Sequence, residues 1–258
     1  MTTEHKIYHI LRIASAMCLI GHGAFGIITK AVWCNYLAVV GIGQDLAYQL
    51  MPLIGMLDIA LGLSLLFYPT RAVALWLVCW GLLTAAMRPL SGEPFAELLE
   101  RAGNFGAPLA LLMLLPKATK LKDWFAKIQA PRNVEKDDLE KVILCLRIIA
   151  SIFLLGHGLL NLIGKKGLLM QYEVLGSNDP QLVAYILGTI ELAGAAIFLA
   201  KRPIPAFVLF FFIWKVSTEI FYPQWVAWEW IERGGSYGTL LALWVALRFD
   251  RQKMSEKL

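Results

Sequence analysis

What most limits the fold of this chain is a set of near-charge-free runs of about 18 to 20 residues, the length a helix needs to cross bilayer hydrocarbon. A backbone N–H or C=O left unpaired in lipid costs several kcal/mol, so a crossing segment must be a helix or part of a closed barrel. No run alternates apolar and polar residues like a barrel strand, which leaves the helix. Eight runs qualify as candidate spans: 10–28, 51–68, 70–88, 102–116, 143–163, 182–200, 204–222 and 234–248. The fourth and eighth are short and are expected to tilt, or to recruit the residues around Phe95–Arg101 and Trp225–Arg233. With 58% hydrophobic residues, 17% charged and a mean hydropathy of +0.61, no soluble core absorbs this much apolar length. The expected class is an all-α integral membrane protein with eight transmembrane helices.

The runs repeat. Gly21-His22-Gly23 returns as Gly156-His157-Gly158, inside "LRIASAMCLIGHGAFGI" from Leu11 and "LRIIASIFLLGHGLLNLIG" from Leu146. "LIGMLDIALGLSLLF" from Leu53 reads against "ILGTIELAGAAIFLA" from Ile186, so Asp58 answers to Glu191. Trp80 answers to Trp214, Pro89 to Pro223, and "ERAGNFGAPLALL" from Glu100 to "ERGGSYGTLLALW" from Glu232. The offset stays between 132 and 135 residues, as duplication of a whole unit requires. The expected organisation is one four-helix repeat over 1–116, a basic linker over 117–142 and a second repeat over 143–258.

Charge sets the orientation. If all eight runs cross, both termini and the linker share one side, and that side holds 17 of the 24 Lys and Arg residues. The positive-inside rule puts it in the cytoplasm of a bacterial or archaeal inner membrane. Both repeats then have the same orientation, related by a pseudo-twofold axis along the membrane normal, unlike an inverted-repeat transporter. The first run lacks a small-residue cleavage site and reads as a retained helix. In the linker, Leu121, Trp124, Phe125 and Ile128 stand at helical spacing among lysines, which suits either an interfacial helix on an anionic leaflet or a solvated connector. The basic residues follow topology and form no groove-sized patch, so nucleic acid is not an expected partner; lipid is, together with other membrane or redox subunits. Cys18, Cys34, Cys79 and Cys145 show neither CxxC nor metal spacing and read as small apolar fillers.

Ionisable residues within the spans carry most of the functional information, since a charge in hydrocarbon costs about 2.5 to 3.5 kcal/mol on insertion scales. They are His22, Asp58, His157, Glu191, Lys215 and Glu219. His22 lies at the depth of Asp58 and His157 at that of Glu191, within about one turn at 1.5 Å per residue. Each half can therefore form a His–carboxylate pair. Gly55, Asp58 and Gly62 share a stripe, as do Gly188, Glu191 and Gly194, so small residues would let the helices close on the pair. Three readings stay open: a structural lock, a site for protons or quinone, and haem ligation by His22 and His157 as two axial ligands. No other metal site is indicated.

A second constellation lies at the outer ends. Arg88, Glu93, Glu97, Glu100, Arg101 and Asn104 belong to the first half; Glu219, Tyr222, Trp225, Trp228, Glu229, Trp230, Glu232 and Arg233 belong to the second. An interfacial belt and a surface for a quinone headgroup or a partner are the alternatives, with Arg88, Glu219, Glu229 and Arg233 as candidate ligand-binding residues.

With these residues in view, each half resembles the DoxX family of four-helix membrane proteins. The likeness rests on a first helix opening with Leu-Arg and carrying His-Gly near its outer end, and on a second with an acidic residue in a glycine-rich run, as in "TIELAGAAIFLAKR". The first half carries Asp58 for the usual Glu and breaks with "YPTR". Where members of the family commonly carry a basic residue shortly after His-Gly, this chain has Phe25, Gly26 and Asn161. The family includes the membrane subunit of a thiosulfate:quinone oxidoreductase. The resemblance therefore implies an integral subunit associated with quinone-linked redox chemistry; a transporter of protons or small solutes, or a scaffold subunit, is the alternative, and whether the protein is itself an enzyme stays open.

Overall fold

The computed structural model describes residues 1–220 and 227–255, and among these the chain is entirely helical outside its turns and loops. Its helices are α1 (Thr3–Ile27), α2 (Trp33–Ala38), α3 (Gln44–Phe67), α4 (Arg71–Leu90), α5 (Ala96–Glu100), α6 (Ala102–Leu114) and α7 (Lys122–Phe125). The second part of the chain adds α8 (Lys136–Leu162), α9 (Lys166–Val174), α10 (Pro180–Ala200), α11 (Pro205–Ile220), α12 (Ala227–Glu232) and α13 (Gly234–Ser255). Five of them, α1, α3, α4, α8 and α10, are long and apolar enough to cross a membrane, and α6 is a shorter apolar helix. The molecule is an all-α membrane protein whose apolar helices contact lipid.

Several helices start earlier than the apolar runs because caps and packing extend them. At α1 the Thr2 hydroxyl accepts the N–H of His5 at 3.3 Å, which starts the helix seven residues before the apolar run. At α10 the Asp179 carboxylate accepts from Leu182 N at 3.0 Å, and Pro180 occupies the first turn, where its missing N–H costs nothing. The run that begins at Met51 continues back to Gln44 because Ala47 and Met51 pack on Phe25 and Trp33 in a satellite cluster beside the main core.

The linker differs from an interfacial helix. Asp123 Oδ2 accepts from Thr119 N and Lys120 N at 3.0 and 2.9 Å and holds a single helical turn, α7. Beyond it Ile128 turns inward: its N–H donates to Pro69 O at 2.8 Å, and its carbonyl accepts from Tyr8 Oη at 3.3 Å. The connector is pinned to the bundle, although Leu121 and Phe125 stay exposed.

Helix packing runs both within and between the halves of the chain. Within them, α1 lies on α3 and α8 on α10; between them, α1 packs on α12 and α13 while α8 packs on α5 and α6. The two glycines of each Gly-His-Gly serve different contacts. A Cβ on Gly23 would stand 2.6 Å from Gly55 O, and one on Gly158 would stand 3.0 Å from Gly188 O, so the second glycine admits the carboxylate-bearing helix. The first glycine faces the opposite half: a Cβ on Gly21 would strike the backbone of Glu232, and one on Gly156 that of Glu100. Close approach at small residues is therefore made within a half at Gly23 and Gly158 and between halves at Gly21 and Gly156.

Candidate functional site

Two His–carboxylate centres form at one end of the bundle. In the first, His22 Nδ1 stands 2.7 Å from Asp58 Oδ2, and the Trp80 indole N–H donates to the same oxygen at 3.2 Å. Asp58 is 1% exposed, and its Oδ1 has no hydrogen-bond partner among the described residues. Trp33 lies over the imidazole, with ring centroids 4.5 Å apart. With Nδ1 engaged, Nε2 is the nitrogen available to the cavity of about 180 Å³ that His22 lines. Trp33, Leu37, Val40, Ile54, Leu83 and Met87 make its apolar wall; Thr84, Arg88, Arg101, Asn104 and Glu232 make its polar part. Val40 and Leu83 are exposed apolar residues, so the cavity opens on the bundle's apolar flank.

In the second centre, His157 Nδ1 stands 2.7 and 2.8 Å from the two oxygens of Glu191. Trp214 Nε1 donates to Oε1 at 2.9 Å and Asn161 Nδ2 to Oε2 at 3.0 Å, while Tyr172 Oη donates to Asn161 Oδ1 at 2.5 Å. Both carboxylate oxygens are thus satisfied at a residue with no solvent exposure, as a buried charge requires. The adjoining cavity, lined by His157, Thr218, Glu219, Arg233 and Glu100, measures only about 10 Å³, room for no more than about one water.

A band of ion pairs joins the two centres. Arg88 reaches Glu93 and Glu97 at 3.0 and 3.4 Å, and Arg101 reaches Glu97 and Glu100 at 2.8 Å each. Arg233 pairs with Glu100 and, at 2.8 Å, with Glu219; Lys215 stands 2.7 Å from Glu219 and 3.8 Å from Glu100. Two further pairs cross between the halves in matching fashion: Lys30 to Glu229 at 2.9 Å and Lys165 to Glu97 at 2.8 Å. Burial by itself would raise the Glu100 carboxyl, but the guanidinium of Arg233, followed by that of Arg101, holds it well below the usual carboxylate range. Glu232 is held below its ordinary value in the same way, with Arg101 the strongest of the cations opposing burial. No cation stands within ion-pair distance of Glu232 among the described residues.

Each expected site residue has a definite place. His22 meets Asp58 and His157 meets Glu191. Arg88 lines the large cavity; Glu219 and Arg233 share the buried network; Glu229 holds Lys30. Tyr222 and Trp225 lie outside the described residues. Glu97 and Glu100, 4% and 3% exposed, are buried against α8 and belong to no interfacial belt. Of the two adjacent Glu-Arg sequences, Glu100–Arg101 forms an ion pair and Glu232–Arg233 does not, because Arg233 turns to Glu100 and Glu219. Sequence reasoning missed the indole donors Trp80 and Trp214, the Asn161–Tyr172 relay and the cross-pairing lysines. Lys30 and Lys165 share the 135-residue offset of the histidines, a signal that was there to read.

Glu100, His157 and Glu219 offer ligand atoms within 4.8 Å of one another, yet the Lys215 ammonium already supplies the positive charge between the two carboxylates. Haem fits poorly, since His22 and His157 line separate cavities and cannot both face one iron. Compared with known proteins, the chain matches no family model, and neither the curated proteins nor the solved structures searched gave a match.

Proposed function

We propose that this chain is a tandem pair of DoxX-like four-helix units with eight crossings and cytoplasmic termini. In this reading the His22 cavity takes the headgroup of a membrane quinone on behalf of a redox complex in a bacterial or archaeal inner membrane. The observation that carries the reading is the cavity itself: about 180 Å³, open on the lipid-facing flank, apolar on one side and lined by imidazole, guanidinium and carboxylate on the other. A cavity of about 150 Å³ is enough for one six-membered ring. The matching contacts at the two centres and the repeated motifs support the tandem reading.

A bound quinone would supply two-electron, two-proton chemistry. The chain's own part follows from its residues. Trp33, Leu37 and Met87 seat a ring and exclude water, and N–H groups of Arg88 and Arg101 are placed to donate to carbonyl oxygens. His22 holds or gives up a proton at Nε2 while Asp58, itself held by the Trp80 indole, fixes its ring through Nδ1. Electrons pass to another subunit in this scheme.

The test is direct. Protein purified in mild detergent should carry or take up about one short-chain quinone, read by absorbance and mass spectrometry, and Arg88→Ala or His22→Ala should lower the occupancy at least tenfold. Purified protein that neither retains quinone nor binds added decylubiquinone would overturn the proposal.

A further inference from the structure

We infer that the His157 pocket is a second copy of the His22 site, closed from within by the buried Lys215–Glu219 pair, so that the chain holds one ligand and Gly81 keeps that place open. This rests on reading the His22 cavity as the ligand site.

The two pockets are built from the same parts. The large one is lined by His22, Thr84 and Arg101 from its own half and Glu232 from the opposite half. The small one is lined by His157, Thr218 and Arg233 from its own half and Glu100 from the opposite half. In each, the carboxylate that receives the imidazole also receives an indole N–H, from Trp80 or Trp214. The residue after that tryptophan is where they part. Gly81 lines the 180 Å³ cavity and contributes no side chain to it; a Cβ there would stand 3.3 Å from the backbone of Asn104, which lines the same cavity. Lys215, 1% exposed, sends four methylenes into the corresponding region, and its ammonium ends 2.7 Å from Glu219 and 3.8 Å from Glu100.

One turn further along, the first half has Ala85 where the second has Glu219. Lysine and glutamate therefore arrive together. The added pair is electrically neutral, so it takes up volume without changing the net charge of the pocket, while Glu219 also engages Arg233 and Lys215 approaches Glu100. Loss of a ligand is the expected consequence, because the remaining 10 Å³ admits nothing larger than water.

The experiment exchanges the two positions and counts ligands by equilibrium binding of decylubiquinone to the purified full chain. Wild type should bind one, Lys215→Gly/Glu219→Ala two, and Gly81→Lys/Ala85→Glu none in a variant that still folds. The fourfold exchange should again bind one, now lost with His157→Ala and indifferent to His22→Ala. A folded Lys215→Gly/Glu219→Ala variant that still binds one, or a Gly81→Lys/Ala85→Glu variant that keeps its ligand, overturns the inference. Should wild type bind no quinone, the functional reading fails, and thiol labelling still decides the inference. A cysteine at Thr84 should react with a small methanethiosulfonate, located by peptide mass spectrometry, at least tenfold faster than one at Thr218, and removal of Lys215 and Glu219 should abolish the difference. Equal labelling in the otherwise wild-type chain would overturn it.

Discussion

Around His22 the imidazole faces a cavity of about 180 Å³, whereas around His157 the same quarter of the bundle holds the buried side chain of Lys215. Among the described residues Asp58 has one oxygen without a partner; Glu191 has both oxygens occupied by donors from His157, Trp214 and Asn161. At its histidine-bound carboxylate the first centre is under-supplied with donors and its cavity open; at the second the carboxylate is fully engaged and little space remains. A His–carboxylate pair on glycine-lined helices is therefore a plan that accepts two outcomes, and the neighbouring side chains choose between them. A ligand site needs groups left unfulfilled; a structural lock needs none.

The comparison can be broken most severely in the ion-pair band. Arg233→Ala takes the guanidinium from Glu219 and one of two from Glu100, and should cost about 3–5 kcal/mol, a loss of roughly 6–20 °C in melting temperature in detergent. Arg88→Ala, whose nearer partner Glu93 is partly exposed and whose buried partner Glu97 keeps Arg101 and Lys165, should cost only about 1 kcal/mol. Similar shifts for the two would mean that the centres are equally buried. The same band fixes a pH dependence. Glu97, Glu100 and Glu232 have folded values below the ordinary 4.5, so their contribution is complete above that pH and is lost as pH falls through the depressed values. A thermal-shift series should be flat from neutrality to about pH 4.5 and fall below it.

Glycine substitution sharpens the comparison at the next level. Gly23→Ala places a methyl 2.6 Å from a backbone oxygen and should cost about 1–3 kcal/mol. Gly158→Ala meets Gly188 O at 3.0 Å and the flexible Leu192 at 3.2 Å, and should cost less than half as much. Glu191→Gln removes acceptor capacity where three donors converge, an expected loss of about 1–3 kcal/mol. Asp58→Asn can turn its amide to the unpartnered side and should lose less; equal thermal shifts would contradict the stated difference between the centres. The smallest effect is expected from Tyr172→Phe, about 1 kcal/mol, with ligand occupancy at His22 unchanged.

Much of this architecture could be read from particular residues. Apolar run length placed α1, α3, α4, α8 and α10, because in lipid the backbone has few other ways to satisfy itself. The depth of His22 against Asp58, and of His157 against Glu191, followed from rise per residue along neighbouring helices. Contacts between the two halves were not legible. Glu232 against Gly21 and Glu100 against Gly156 depend on how one half of the chain turns toward the other, and hydrophobic pattern says nothing about that angle. Nor does pattern distinguish Gly81 from Lys215 as cavity and filler, since a lysine in an apolar run reads first as a charge and only second as a volume.

The reciprocal notches have a consequence in time. Glu100 is already made when Gly156 leaves the ribosome, so the second groove can be filled as soon as it exists. Glu232 follows Gly21 by 211 residues, roughly 10–40 s of synthesis at 5–20 residues per second. For that interval the segment that covers Gly21 in the finished molecule does not yet exist. The half of the chain that keeps a cavity in the finished molecule is also the half that waits longest to be closed.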